Sequence, residues 1–152
     1  MNDMSYRILA FDPGGTTGYK LYDSETDTFS GGQLKPNHHF KLWSMLNNLK
    51  VNAVVYESFE YRNKSRPGLV LDSREYIGII RLFEEMYSIS TTKQTPAQAK
   101  GFVSDDRLKR GGLWVPGHPH ENDACRHLIY YMINTMKVMP EKRLELVEGM
   151  YK

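Results

Sequence analysis

The chain holds one cysteine, Cys125, among 152 residues. No disulfide can form within it, so stability must come from a packed core, and a reducing compartment suits it. Long apolar runs are also missing. None approaches the length that crosses a bilayer, and the opening residues MNDMSYR lack the apolar centre of a signal peptide. The expectation is a soluble, cytoplasmic protein with no membrane partner. Charge of one sign is scarce: 20 Lys and Arg stand against 18 Asp and Glu, a formal net of +2. Bulk charge therefore identifies no partner, and the placement of the cations is what counts. No repeat, low-complexity tract or linker interrupts the chain. What remains is an ordinary globular composition, 40% hydrophobic and 25% charged, at a length that suits one domain over residues 1–152.

The apolar pattern orders the elements. YRILAFD and VNAVVYES are short, nearly continuous apolar runs, as expected of strands buried on both faces. YKLYD and DTFSGGQL follow the first run after short turns and make a three-stranded meander with it; SISTTKQT reads as a fifth strand. Phe40, Trp43, Met45, Leu46 and Leu49 fall at near-helical spacing, as do Tyr76, Ile80, Phe83 and Tyr87. PAQAKGFVSDDRLKRGG gives one or two short helices, LWVPGHPHEN a loop, DACRHLIYYMINTM a strong final helix and PEKRLELVEG a short tail helix. The order βββ-α-β-α-β-α predicts an α/β fold: a five-stranded mixed sheet, a meander plus two parallel strands, flanked by helices. Sites in such sheets gather beyond the carboxyl ends of the central strands.

Acids stand at that end. Asp12 closes the first strand, Glu57 closes the fourth, and Asp123 is expected to open the last helix. Each has a plain alternative: turn residue, solvated strand end, helix cap. If the strands are neighbours and the helix crosses their ends, three carboxylates meet, and like charges that close call for a cation. Oxygen-rich sites suit Mg²⁺ or Mn²⁺, and two such ions can clamp both oxygens of a phosphodiester displacement. His120 is a candidate fourth ligand or water-positioning group, with Glu121 competing for either role. His127 shares their helical face if the helix begins early enough, as a supporting group or a surface histidine; Cys125 is expected to be a small buried residue.

The patches LAFDPGGTTGY, VVYESF, KQTPAQAKGFV and HENDACRHL, in this order, resemble the RuvC-like nucleases of the ribonuclease H-like superfamily. These are four-way (Holliday) junction resolvases, and bacterial viruses carry short versions. The resemblance implies a ribonuclease H-like fold and a metal-dependent endonuclease acting on branched DNA in recombination, repair or phage DNA processing. It implies that Asp12, Glu57 and Asp123 hold the metal ions, with His120 as fourth ligand, and that Lys100 faces DNA. It also implies a homodimer built on the helix around Ser73 to Tyr87 and, for a viral protein, the cytoplasm of a bacterial host. One departure concerns the aromatic that cellular resolvases wedge into the junction. Phe59 and Tyr61 both lie close after Glu57, and the motif does not choose which of them takes that place; either could stack on exposed bases or sit in the core.

Arg62, Lys64 and Arg66 follow at once and would grip phosphates beside the cut, or be plain solvated surface. Lys93, Lys100, Arg107, Lys109 and Arg110 form a second basic group, diluted by Asp105 and Asp106. Rival readings are a one-lobe actin- or sugar-kinase-like ATPase, for which DPGGTTGYKLYD is the phosphate loop, and a zinc protein using His118, His120, Cys125 and His127. A third is a branched-DNA-binding protein without nuclease activity.

Overall fold

The computed structural model describes residues 5–59 and 72–138. The segments holding Tyr61, Arg62, Lys64 and Arg66, and the tail helix expected over PEKRLELVEG, lie outside them. Five strands form one sheet: β1 (Arg7–Asp12), β2 (Thr17–Asp23), β3 (Thr28–Leu34), β4 (Ala53–Glu57) and β5 (Ser90–Gln94), in spatial order β3-β2-β1-β4-β5. The first three are antiparallel neighbours; β4 runs parallel to β1 and β5 parallel to β4. This is the mixed sheet expected from the pattern. The helices are α1 (His39–Asn48), α2 (Asp72–Tyr87), α3 (Pro96–Phe102), α4 (Asp105–Arg110) and α5 (Pro119–Tyr131), which runs on into a π-helical turn, Met132–Met136. Among the described residues, no helix is long and apolar enough to cross a membrane.

The central strands bury both faces because their side chains alternate. Leu9 and Phe11 of β1 join Val54 and Tyr56 of β4 in a core with Leu42 and Leu46 of α1 and Tyr76, Ile80 and Phe83 of α2. Ile8, Ala10, Ala53 and Val55 point the other way, onto Leu128, Tyr131 and Met132 of α5 and its continuation. The helical spacing over α1 is right about the helix but not about every burial: Phe40 is 79% exposed, and Leu42 carries that turn's contact.

Register delivers the acids to one face. Ala10 pairs with Val55 across β1 and β4. Two residues further on, Asp12 and Glu57 end their strands on the same α5 face.

The last helix starts earlier than the sequence suggests. Pro119 occupies its first turn, so Asp123 sits a full turn inside and does not open it. Helix-end electrostatics fade beyond the first turn, where Glu121 stands instead. The reason is a long-range cap. The Gln33 side chain of β3 accepts hydrogen bonds from the backbone N–H of His120 (2.9 Å) and of Glu121 (3.4 Å). The first turn lies directly on β2: a Cβ added to Gly18 would come within 1.9 Å of the His120 carbonyl oxygen. Only glycine admits the helix that close.

Candidate metal and nucleic-acid site

Asp12 is 6% exposed at the end of β1. Its Oδ2 lies 3.1 Å from His120 Nδ1, in a hydrogen bond across the sheet end. It also shares a hydrogen bond with Glu57 and feels the negative charge of both Glu57 and Asp123. Burial first, then the bond and charge of Glu57, then Asp123, push its pKa up to about 9, against the downward pull of Lys100. The structure thus brings Asp12, Glu57, His120 and Asp123 into one neighbourhood, with Lys100, at the end of α3, inside its electrostatic reach.

Glu57 shares the crowding but has a donor. Burial works to raise its pKa, and is outweighed by hydrogen bonds from His127 and Asp12 and by the charges of His127 and Lys100, so the net shift is downward. His127 is 1% exposed. Its Nε2 is 3.1 Å from Glu57 Oε1 and its Nδ1 is 2.8 Å from Gln94 Oε1 on β5. This buried imidazole fixes one carboxylate oxygen of Glu57, so it is no surface histidine. Its spacing, four residues after Asp123, puts it on the right helical face, but the partners on β4 and β5 are visible only in the fold.

Glu121 does not compete for the site. Its Oε2 pairs with Lys20 Nζ at 2.8 Å, both side chains almost wholly buried, and its Oε1 lies 2.9 Å from His118 Nδ1. Asp123 Oδ1 is 3.2 Å from Arg126 Nε. Arg126 in turn donates to the Val103 carbonyl and pairs with Asp105, tying α5 to the segment between α3 and α4.

The turn after β1 is held from below. Thr17 Oγ1 is 3.2 Å from both the N–H and the carbonyl oxygen of Gly14, and His38 Nε2 is 2.6 Å from the same hydroxyl. His38 stacks on Tyr76 of α2 with ring centroids 3.9 Å apart. Ser73 Oγ donates to the Pro13 carbonyl at 2.8 Å, so the start of α2 sits over this turn. The sequence marks PGGTTG as a turn, but the roles of His38 and Ser73 depend on contacts remote in the chain.

Among the described residues, no three acidic, histidine or cysteine side chains are gathered tightly enough to hold a metal ion as they stand. The donor chemistry of the Asp12 neighbourhood nonetheless suits a hard divalent cation: carboxylate oxygens with one imidazole, and an acid whose pKa is raised by burial and by its two acidic neighbours. The zinc set does not assemble, since His118 faces Glu121, His120 faces Asp12, His127 faces Glu57 and Cys125 is buried in the core beside Val103 and Ile129. Phe59 lies beyond Glu57, at a groove against α2. In the second basic group, Arg110 is paired with Asp106 and Lys109 sits over the Trp114 ring.

The order β3-β2-β1-β4-β5, with three antiparallel strands and two parallel ones covered by helices on both faces, defines a ribonuclease H-like fold. Its solved counterparts include the RuvC of Thermus thermophilus in complex with a Holliday junction substrate. That structure matches with a TM-score of 0.67 at 13% identity, over 87% of this chain and 96% of that one. A second Thermus thermophilus RuvC structure matches with a TM-score of 0.65 at 13% identity, over 86% of this chain and 96% of that one. No family model and no curated protein sequence matches the chain. At this identity the likeness establishes the fold.

Proposed function

We propose that the protein is a metal-dependent, structure-selective endonuclease that hydrolyses phosphodiester bonds in branched DNA, four-way junctions foremost. The observation that supports this reading is that Glu57 and Asp123 lie within electrostatic reach of the buried Asp12 at one end of a RuvC-type sheet. Asp12, Glu57, Asp123 and His120 would hold one or two Mg²⁺ or Mn²⁺ ions. Bound there, the metal would activate water and stabilise the leaving oxygen. The protein's own groups do the rest. His127 holds Glu57 in place, and the Gln33 cap and Gly18 hold the first turn of α5 against the sheet, so that His120 reaches Asp12. Lys100 supplies a positive charge that a phosphate entering the site would meet. Phe59, with Tyr61, Arg62, Lys64 and Arg66 after it, would contact the branch.

A homodimer joined through α2 fits the exposed apolar side chains Leu82 (48%), Met86 (56%) and Tyr87 (49%) on that helix. Two subunits would place two sites across one junction. A DNA-processing role in a bacterial or bacterial-virus setting, in the cytoplasm, completes the reading.

The test is cleavage of labelled four-way junction, flap, fork and plain duplex DNA with and without Mg²⁺. Metal-dependent cutting of the branched substrates alone is expected. A second reading, branched-DNA binding without catalysis, draws on the absence of three converged ligands among the described residues. Tight junction binding with no cutting in Mg²⁺ or Mn²⁺ would establish it instead.

A further inference from the structure

A groove of about 700 Å³ runs between α2 and strands β4 and β5; it is lined by Tyr56 and Ser58, the chain neighbours of Glu57, whose own side chain points to the other face of the sheet. Tyr56 and Ser58 form its floor, Lys93 of β5 one wall, and Arg74, Gly78 and Arg81 of α2 the other. At 100° per residue, positions 74, 78 and 81 share one stripe of the helix. Leu82, on the proposed dimer stripe, is about 100° away from Arg81, so a partner on that stripe would not need to cover the groove.

Three features suit an anionic chain. Arg74, Arg81 and Lys93 are exposed and form no ion pair among the described residues. Among the described residues that line the groove the one carboxylate, Glu84, is engaged through Oε2 with the N–H (3.2 Å) and hydroxyl (2.7 Å) of Thr91. The Ser58 hydroxyl is the buried side-chain polar atom left without a partner among the described residues, and buried polar groups are normally satisfied.

Gly78 adds an independent sign. Glycine inside a helix is destabilising relative to alanine. Here a Cβ would meet nothing within 4 Å, so packing within the described chain does not demand it. A glycine in the groove wall leaves room for a second backbone to approach.

We propose that this groove is a track for the sugar-phosphate backbone of one DNA strand leading away from the cut. Arg74, Arg81 and Lys93 would bind successive phosphates, and the Ser58 hydroxyl would donate to the phosphate nearest Glu57. The proposal rests on the branched-DNA reading above and adds a path for the strand beyond the loop cations.

The test measures binding of labelled four-way junction to the full chain in EDTA, across a salt series, so that the readout is independent of cleavage. The triple variant Arg74→Ala, Arg81→Ala, Lys93→Ala should lose about tenfold or more in affinity at moderate salt. Its plot of log affinity against log salt should be shallower by about 2–3 units, one for each phosphate contact removed. Gly78→Leu keeps every charge and favours the helix, yet should also weaken binding by filling the track. Lys50→Asn removes one charge at the opposite end of β4, at a residue whose φ of 52° asparagine accepts, and should leave affinity and slope close to wild type. A wild-type protein that binds the junction, with a triple variant of unchanged affinity and slope, overturns the track alone. A wild-type protein without salt-dependent junction binding overturns both the track and the reading beneath it.

Discussion

Two acidic positions on the first turns of α5 meet opposite fates. Glu121 is buried against Lys20 at 2.8 Å, with His118 on its other oxygen, so its charge is matched from both sides. Asp123, two residues on, pairs with Arg126 at 3.2 Å and lies within electrostatic reach of Asp12, whose pKa is pushed up to about 9 by burial first, then by Glu57 and by Asp123. The helix and the solvent boundary are shared. What differs is what each one stands beside: Glu121 has Lys20 directly opposite, whereas Asp123 borders Asp12, which pairs with no lysine or arginine among the described residues. The matched pair locks the helix to β2; at Asp12, burial and crowding by Glu57 and Asp123 go uncompensated, and a bound cation would relieve them.

The first way to break the comparison is to remove an unmatched acid. Asp12→Asn should lower branched-DNA cleavage by about a thousandfold or more, because losing a ligand costs transition-state stabilisation, while junction binding persists through Lys and Arg. Gel cleavage and binding assays on the same preparation check it. Removing one half of the matched pair should harm stability instead. Lys20→Met leaves Glu121 charged and buried, with an expected loss of about 3–5 kcal/mol in denaturant unfolding, and Lys20→Met with Glu121→Leu should recover most of it. If Lys20→Met unfolds like wild type, the pair is not the lock described.

His127 lies between the two regimes, since it supports an acid of the site from the core. His127→Ala should slow cleavage by about 10–100-fold and weaken metal activation by a similar factor, in line with outer-shell partners of metal-binding carboxylates. His127→Gln, which keeps a donor, should recover part of the loss. Unchanged kinetics in His127→Ala would make the contact purely structural.

The smallest effect is the pH dependence of metal-free stability. The folded pKa of Asp12 is raised, so the folded chain keeps a proton that the unfolded chain releases above about pH 4. Its contribution is fully present below the unfolded value and is lost as pH rises towards 9. Glu57, with its pKa lowered, contributes in the opposite sense, losing stability as pH falls through the acid range. Between pH 5 and 9, metal-free wild type should therefore lose stability progressively, read as a falling melting temperature. Asp12→Asn should show a flatter profile and a higher melting temperature at pH 8. A wild-type profile as flat as that of Asp12→Asn would remove the electrostatic strain from the account.

Much of this organisation could be read from the chain. Continuous apolar runs marked β1 and β4 as central strands, and the acids at their ends are the ones the proposed site draws on. The uneven parts were those decided by remote partners. The start of α5 moved back to Pro119 because Gln33, on β3, caps it. Glu121 looked like a possible ligand until Lys20, distant in sequence, proved to be its partner. His127 could not be assigned from spacing, because Glu57 and Gln94 reach it from two other strands. Local pattern carries periodicity and turns; it does not carry which side chains a sheet and a helix press together.

The most direct test of the central claim is calorimetric titration of Mn²⁺ into the DNA-free protein near pH 8, wild type beside Asp12→Asn and Glu121→Gln. The account predicts binding to wild type that releases a fraction of a proton, binding largely retained by Glu121→Gln if that variant remains folded, and binding lost in folded Asp12→Asn. Equal Mn²⁺ binding by wild type and Asp12→Asn would contradict it.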